Sequence, residues 1–408
     1  MDPTEGPVLL VKAAAMRPRI RLALGAERPE FRTEKLFHSI APPAPAGAAA
    51  MAGAAAQWHV LRAPPAAAAQ SAWDMCHALL TGGLGFDGAP TADFAEPDMA
   101  QRWPFADEVR EAMKLAGGCP TEGQRQDERF PRDPNALWYR DATHGQFADA
   151  LGSFNPATGG AVRIAHLDTG YDPTHKNRPA HIRHDLERNF VDPAHPNDAA
   201  DRTDALLANS GHGTGTLGIL AGQGIGAAPF AEVVPIRVAD RVVLFWNSNI
   251  ARAFDHVHGL GADPGSFVHV VTMSMGGVAS HAWADAVNAL YELGVVVVTA
   301  AGNNFGNMPT RHIVYPARFG RVLAACGVMA DGTPYADLGL GRMAGNYGPP
   351  KKMTTALAAY TPNTPWPRLG CADIFDSNGA GTSSATPQVA AAAALYIARH
   401  RTALAAYP

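Results

Sequence analysis

Cysteine, charge and long apolar runs are all scarce in this 408-residue chain. The four cysteines, Cys76, Cys119, Cys326 and Cys371, stand far apart and form no CxxC pair, too few for a disulfide scaffold of this size. Charged residues make up 17%, and 33 Lys and Arg against 37 Asp and Glu leave a formal net charge of −4. That balance gives no basic footprint for nucleic acid or an anionic membrane. The longest apolar run, Val389 to Ala398, is nearly all alanine and stops at Arg399, well short of the roughly 18 residues of a spanning helix. The first 30 residues mix Asp, Glu, Lys and Arg among short apolar pieces, without the apolar core and cleavage site of a secretory signal. These absences lead to the expectation of a cytoplasmic protein with no nucleic-acid or membrane partner.

What is present is enough apolar material, 47% of the chain, to bury a sizeable core over two or three domains. Residues 1–105 read as a small α+β region. An Ala/Pro tract over 41–69 is split by a short strand at Gln57–Arg62. Ser71 is placed to cap a helix running through Trp73, Cys76, Leu79 and Leu80. Val8–Lys12, Ile20–Leu24 and Ala92–Glu96 read as further strands. Residues 106–160, polar and rich in Gly and Pro, read as a connector with one helix near Ala106–Leu115. From residue 161 to 408 strands and helices alternate. Val162–Leu167, Val233–Val238, Phe267–Met273 and Val295–Ala300 are apolar runs of the kind found in strands buried on both faces. Helical patterns at Thr214–Ala221, Asn249–His258 and Trp283–Leu293 lie between them. Such alternation predicts an α/β domain with a mostly parallel central sheet, whose ligands bind beyond the carboxyl ends of the strands.

Three segments carry chemistry. Ala165-His166-Leu167-Asp168-Thr169-Gly170 ends a buried strand on a carboxylate. Asn209 to Thr216 places His212 at a helix start, with glycines on both sides that cost helix stability and allow close backbone approach. Gly379 to Pro387 feeds Ser383 into the first turn of a strong helix, where free backbone N–H groups suit an oxyanion. Taken singly, each has a plainer reading: a turn Asp, a structural His, a Ser/Thr helix cap.

Together, in the order Asp, His, Ser, they resemble the signatures of the subtilisin-like serine proteases, or subtilases. Ala300-Ala301-Gly302-Asn303 resembles the family's oxyanion segment, and Met273-Ser274-Met275-Gly276-Gly277 its substrate-binding edge. The resemblance covers about 60% of the chain, from Ala161 onward. It implies a three-layer α/β sandwich and a serine endopeptidase. Ser383 would be the nucleophile, His212 the general base, Asp168 its partner and Asn303 an oxyanion donor. Ser274, Met275 and Gly276 would pair with an extended peptide or protein substrate, and Val314, before Tyr315-Pro316-Ala317, would line the S1 pocket. The local alignment leaves open whether Val314 sits there or is ordinary core. The N-terminal region resembles the family's propeptide, an intramolecular inhibitor, with an attached recognition domain as the other reading.

The chain also departs from the pattern. Only 17 residues run from His212 to Pro229, so the loop that carries the family's usual strong calcium site looks shortened; no cofactor is required, and calcium stays open. Asp198, Asp201 and Asp204 read as a solvated loop rather than a cation site. His175, His181, His184 and His195 read as exposed loop histidines. Only 25 residues follow Ser383, which leaves open a fragment or a helix covered by the N-terminal region. The alternative functions are a catalytically silent pseudoprotease that binds peptides, and an esterase or peptide ligase on the same triad.

Overall fold

The computed structural model describes residues 6–13, 31–40, 56–81, 92–102, 135–153, 161–202, 211–242, 244–339 and 341–406. The strand expected at Ile20–Leu24 and the helix near Ala106–Leu115 lie outside them. The chain divides into two units: one holds residues 1–100, 246–259 and 280–289, the other the remainder.

In the first unit, β1 (Val8–Ala13), β2 (Arg32–Lys35), β3 (Gln57–Arg62) and β4 (Phe94–Pro97) form an antiparallel sheet in the order β2-β3-β1-β4. Alternate side chains of a strand share a face. Leu9, Val11 and Ala13 accordingly join Leu61 and Ala95 in one core with Met75, Cys76 and Leu79 of α1 (Ala72–Thr81). The expected strands at 8–12, 57–62 and 92–96 and the helix after Ser71 are all present.

Beyond this sheet the chain forms β5 (Ala100–Arg102), α2 (Phe147–Gly152), β6 (Arg163–Asp168), β7 (Arg188–Asn189), α3 (His212–Ala221) and β8 (Glu232–Arg237). Then come β9 (Leu244–Trp246), α4 (Asn247–Leu260), β10 (Val270–Met273), α5 (His281–Glu292), β11 (Val296–Ala300), β12 (Asn303–Phe305) and β13 (Leu323–Val328). The last elements are β14 (Met343–Gly345), α6 (Pro350–Met353), β15 (Leu357–Tyr360), β16 (Thr364–Pro367), β17 (Phe375–Gly379) and α7 (Gly381–Leu404).

The predicted parallel sheet has seven strands in the order β15-β13-β11-β10-β6-β8-β7, every pairing parallel. Strands β6 and β10 are fully buried and β11 is buried but for Val296, with β10 and β11 rich in β-branched residues, as in strands covered on both faces. Pro235 is accommodated within β8, opposite His166 of β6. Helix α7 buries Ala385, Val389, Ala390, Ala391, Ala394 and Leu395 in the same core as Ile164, Val233, Val270 and Val298. Small alanines let that helix lie close to the sheet, and Pro387 sits past its first turn, where the Ser383 carbonyl loses its intrahelical donor and accepts from Ser274 Oγ instead. The connector is more than a covering loop: Tyr139 is fully buried with Ile219 and Ile225, and its hydroxyl donates to the Ile225 carbonyl.

The first unit includes most of α4 and α5, and carboxylates from the N-terminal sheet cap both helices. Glu96 accepts from Ser280 Oγ at 2.7 Å and from the N–H groups of His281 and Ala282 at 3.0 and 3.2 Å. Asp98 accepts from Ser248 N at 2.9 Å and Ser248 Oγ at 2.6 Å. Within α4, Asp255 takes the N–H groups of His38, Ser39 and Ile40, and in α5 Asp285 takes Lys12 Nζ and Trp58 Nε1.

Candidate active site

The carboxyl ends of β6, β10 and β11 bring the expected residues together. Asp168 is the last residue of β6, His212 the first of α3, and Ser383 lies in the first turn of α7. Gly211, at φ +83°, turns the chain into α3 in the left-handed region that glycine tolerates. Gly213 is required by contact: a Cβ there would lie 2.0 Å from the Gly170 carbonyl oxygen.

His212 Nδ1 lies 2.7 Å from Asp168 Oδ1. A carboxylate only accepts, so the neutral imidazole of His212 carries its proton on Nδ1 and its lone pair on Nε2. That Nε2 is buried and has no hydrogen-bond partner among the described residues. Burial alone would raise the Asp168 carboxyl, but the His212 imidazole and the bonds it accepts hold it below the usual carboxylate range. Trp366 of β16 packs edge-on against the imidazole, ring centroids 5.6 Å apart. It fills the space a side chain at Gly215 would need.

Ser383 is 9% exposed. Its Oγ donates to the Ser274 carbonyl at 3.4 Å, while Ser274 Oγ donates to the Ser383 carbonyl at 3.1 Å. The structure therefore pairs Asp168 with His212 and sets Ser383 against Ser274. Asn303 Oδ1 accepts from the Thr382 N–H at 2.9 Å. Its amide nitrogen is thereby directed to the start of α7, where it lies 2.8 Å from the position a Cβ on Gly381 would take.

Met275 is buried at 2% exposure, and residues 274–276 continue beyond β10, outside the parallel ladder. Antiparallel pairing begins at Gly277, whose N–H and C=O exchange bonds with Tyr315 at 2.7 and 2.9 Å. Val314 is the residue next to that bridge. Its methyls lie 2.5 Å from a Cβ built on Gly276 and 3.0 Å from one built on Gly302. Val314 is thus buried and wedged between the two glycine segments, a placement common to both readings, S1 wall and ordinary core. Val278, at the far end, donates its N–H to Gln101 Oε1 at 2.9 Å, and Gln101 Nε2 donates to its carbonyl at 3.4 Å. Sequence reasoning missed Gln101 and Trp366, which lie outside every signature, and gave no role to Thr382, which stands inside the Ser383 segment.

Two readings of the polar loops need correction. Asp201 is no solvated loop residue: it is 9% exposed, and its carboxylate accepts the Gly211 N–H at 3.0 Å. It braces the turn in front of His212. Asp198 binds Arg202 and the Ala200 N–H, and Asp204 lies outside the described residues. His175 is 1% exposed. Its Nδ1 accepts from Asn177 N and its Nε2 faces the Ile374 carbonyl at 3.0 Å. His181, His184 and His195 are exposed. Among the described residues, no group of three or more His, Cys, Asp or Glu is placed to hold a metal ion.

The model of the subtilase family matches residues 159–406. The chain is 29% identical over 285 residues to an extracellular serine proteinase of Thermus sp. (strain Rt41A), covering 69% of this chain and 62% of that one. It is 28% identical over 251 residues to subtilisin NAT of Bacillus subtilis subsp. natto, covering 60% and 58%. The chain thus spans about three fifths of the length of these relatives. With the family model matching more than half of its length, the parallel sheet and the Asp168–His212 pair in place, this chain belongs to the subtilase family.

Proposed function

We propose that the chain is a serine endopeptidase in which Asp168, His212 and Ser383 form the catalytic triad and Asn303 the oxyanion site. The observation that carries this reading is the imidazole of His212. Its Nδ1–H is committed to a buried carboxylate, and its Nε2 lone pair is buried and unpartnered among the described residues. That is the state a general base requires. Ser383 Oγ leaves Ser274 O, gives its proton to His212 Nε2 and attacks the scissile carbonyl. Asp168 holds the tautomer and stabilises the imidazolium. The oxyanion is met by the Asn303 amide and the Ser383 N–H. Asn303 is suited to this because Thr382 occupies its oxygen and leaves the nitrogen as donor. Residues 274–276 offer a backbone edge to an extended peptide, and Val314 fills the S1 space, favouring small P1 side chains.

The N-terminal region is proposed as an intramolecular chaperone and inhibitor. Glu96 and Asp98 cap helices that belong to the stretch matching the family, and the Gln101 amide satisfies Val278 at the end of the substrate edge. No calcium is assigned to the loop after α3.

The test uses the full chain. Wild type should react with a fluorophosphonate probe and cleave a denatured protein, and Ser383→Ala should do neither, with turnover down by several orders of magnitude. Labelling of Ser383→Ala equal to wild type would refute the assignment. A wild type that is never labelled, before or after loss of the N-terminal region, would mark a peptide-binding pseudoprotease.

A further inference from the structure

Two buried polar side chains stand behind the Asp168–His212 pair, and neither is used in the mechanism above. His166 precedes Asp168 by two positions on β6, so both side chains leave the same face of the strand. Thr216 follows His212 by four on α3, so both lie on the same face of the helix. Strand and helix face each other, and the four side chains form two rungs. Asp168 Oδ1 meets His212 Nδ1 at 2.7 Å. Thr216 Oγ1 lies 3.1 Å from Asp168 Oδ2 and 2.8 Å from His166 Nε2. His166, Thr216 and Asp168 are at most 3% exposed.

The direction of each bond follows from what each group can do. An ionised Asp168 only accepts, and its Oδ2, charged and at 3.1 Å, is nearer than the His212 and Gly213 carbonyls at 3.3 Å, so Thr216 directs its single proton to Oδ2. Thr216 Oγ1 then accepts from His166, which must carry its proton on Nε2. Burial pushes the His166 imidazole down to about 4, and the groups facing it are Asp168, which opposes that shift, and His212, which reinforces it. His166 is therefore neutral wherever a serine protease works, and the tautomer is fixed by Thr216. Hydrogen bonds in such a chain polarise one another, and the carboxylate, held at both oxygens, keeps Oδ1 aimed at His212.

We infer that His166 and Thr216 are positioning residues of the triad: a His166–Thr216–Asp168 relay orients the carboxylate that orients the base. This rests on the proteolytic reading above, and the experiment separates the two. Thr216→Val removes the donor while keeping the volume. It should lower kcat about 10-fold, the scale of one lost hydrogen bond to a charged group, with KM changed less than about twofold. Without that donor the carboxylate holds the imidazolium more tightly, so the acid limb of kcat/KM should move up by roughly half a pH unit. Thr216→Ser and His166→Gln, which each keep a donor in place, should stay near wild type. His166→Leu should lose activity, and adding it to Thr216→Val should cost nothing further, since the relay runs through the hydroxyl.

Unchanged kcat and pH profile in a folded Thr216→Val, or fully additive losses in the double variant, would overturn the relay. Histidine titrations followed by NMR in Ser383→Ala, with and without Thr216→Val, test the same relay without turnover. Should the wild type prove inactive, the proteolytic reading falls while an upward-moving titration would still support the relay and an unmoved one would overturn it.

Discussion

Val314 shows what a single side chain decides. It lies against the backbone of Gly276 and Gly302, in the space where a P1 side chain would enter under the proposed mechanism. Extra groups in packed space typically cost ~1–3 kcal/mol. Val314→Gly should therefore raise kcat/KM for P1 Phe relative to P1 Ala by about 10-fold, equivalent to ~1.4 kcal/mol. Two peptides differing only at P1, assayed on both variants, measure this. A wild type that already prefers Phe, with an unaltered ratio in the variant, would show that Val314 does not floor the pocket. A second residue-scale prediction concerns acid. Burial lowers His166 from 6.5 to about 4, and burial with Arg401 nearby does the same to His269. Between those values the unfolded chain binds protons that the folded chain refuses, so stability falls as pH falls from 6.5 to about 4. Each group contributes a slope of up to ~1.4 kcal/mol per pH unit. The Asp168 carboxyl, held below its ordinary value, stabilises the fold above the usual carboxylate range and loses that contribution only at still lower pH. His166→Gln should flatten the stability profile by about one proton in denaturant titrations at pH 7, 6 and 5. An identical slope in the variant would mean that His166 is protonated in the fold.

Among the elements, the turn after α3 has an internal brace. Asn177 Oδ1 accepts the N–H groups of Gly224 and Ile225 at 2.8 and 3.0 Å, and Tyr139 holds the Ile225 carbonyl. Side chains thus satisfy these backbone groups without a cation. Exhaustive EDTA treatment should accordingly leave melting temperature and activity within about 2 °C and 20% of the untreated protein. A drop of about 10 °C would reveal a calcium site, since a domain this large shifts only ~2–4 °C per kcal/mol. The elements also show where sequence reasoning reaches. Strands β6, β8, β10 and β11 and helices α3, α4 and α5 are legible because buried runs and helical periodicity are local. Asp168, His212, Ser383 and Asn303 are legible because each sits inside a short signature. Glu96 and Asp98 are not: their partners lie 184 and 150 positions away, and nothing local marks an acidic residue as the cap of a distant helix. His166 and Thr216 leave a trace, polar residues two and four positions from the pair on faces otherwise apolar, which becomes informative only once strand and helix are known to face each other.

At the scale of the whole molecule, the cysteines and the N-terminal region set the context. Cys76 and Cys326 are free and buried, whereas Cys371 is disulfide-bonded. The N-terminal sheet has its own core, yet its acidic residues serve α4 and α5. Ser248 and Ser280 already stand at the starts of these helices, and Asp98 and Glu96 add charge where the helix dipole is positive. If the region templates folding, losing both carboxylates should slow the formation of those helices. A cap is typically worth ~1 kcal/mol, and one or two kcal/mol correspond to a factor of about 5–30. The combined Glu96→Gln and Asp98→Asn change, made in the full Ser383→Ala chain to prevent autolysis, should therefore refold from denaturant about 10-fold more slowly. Its unfolding rate should change less, because an interaction present in the folding nucleus acts chiefly on the folding limb. An accelerated unfolding limb with an unchanged folding limb would mean that the N-terminal region docks only after the subtilase domain has formed, and would favour an attached recognition domain over a chaperone.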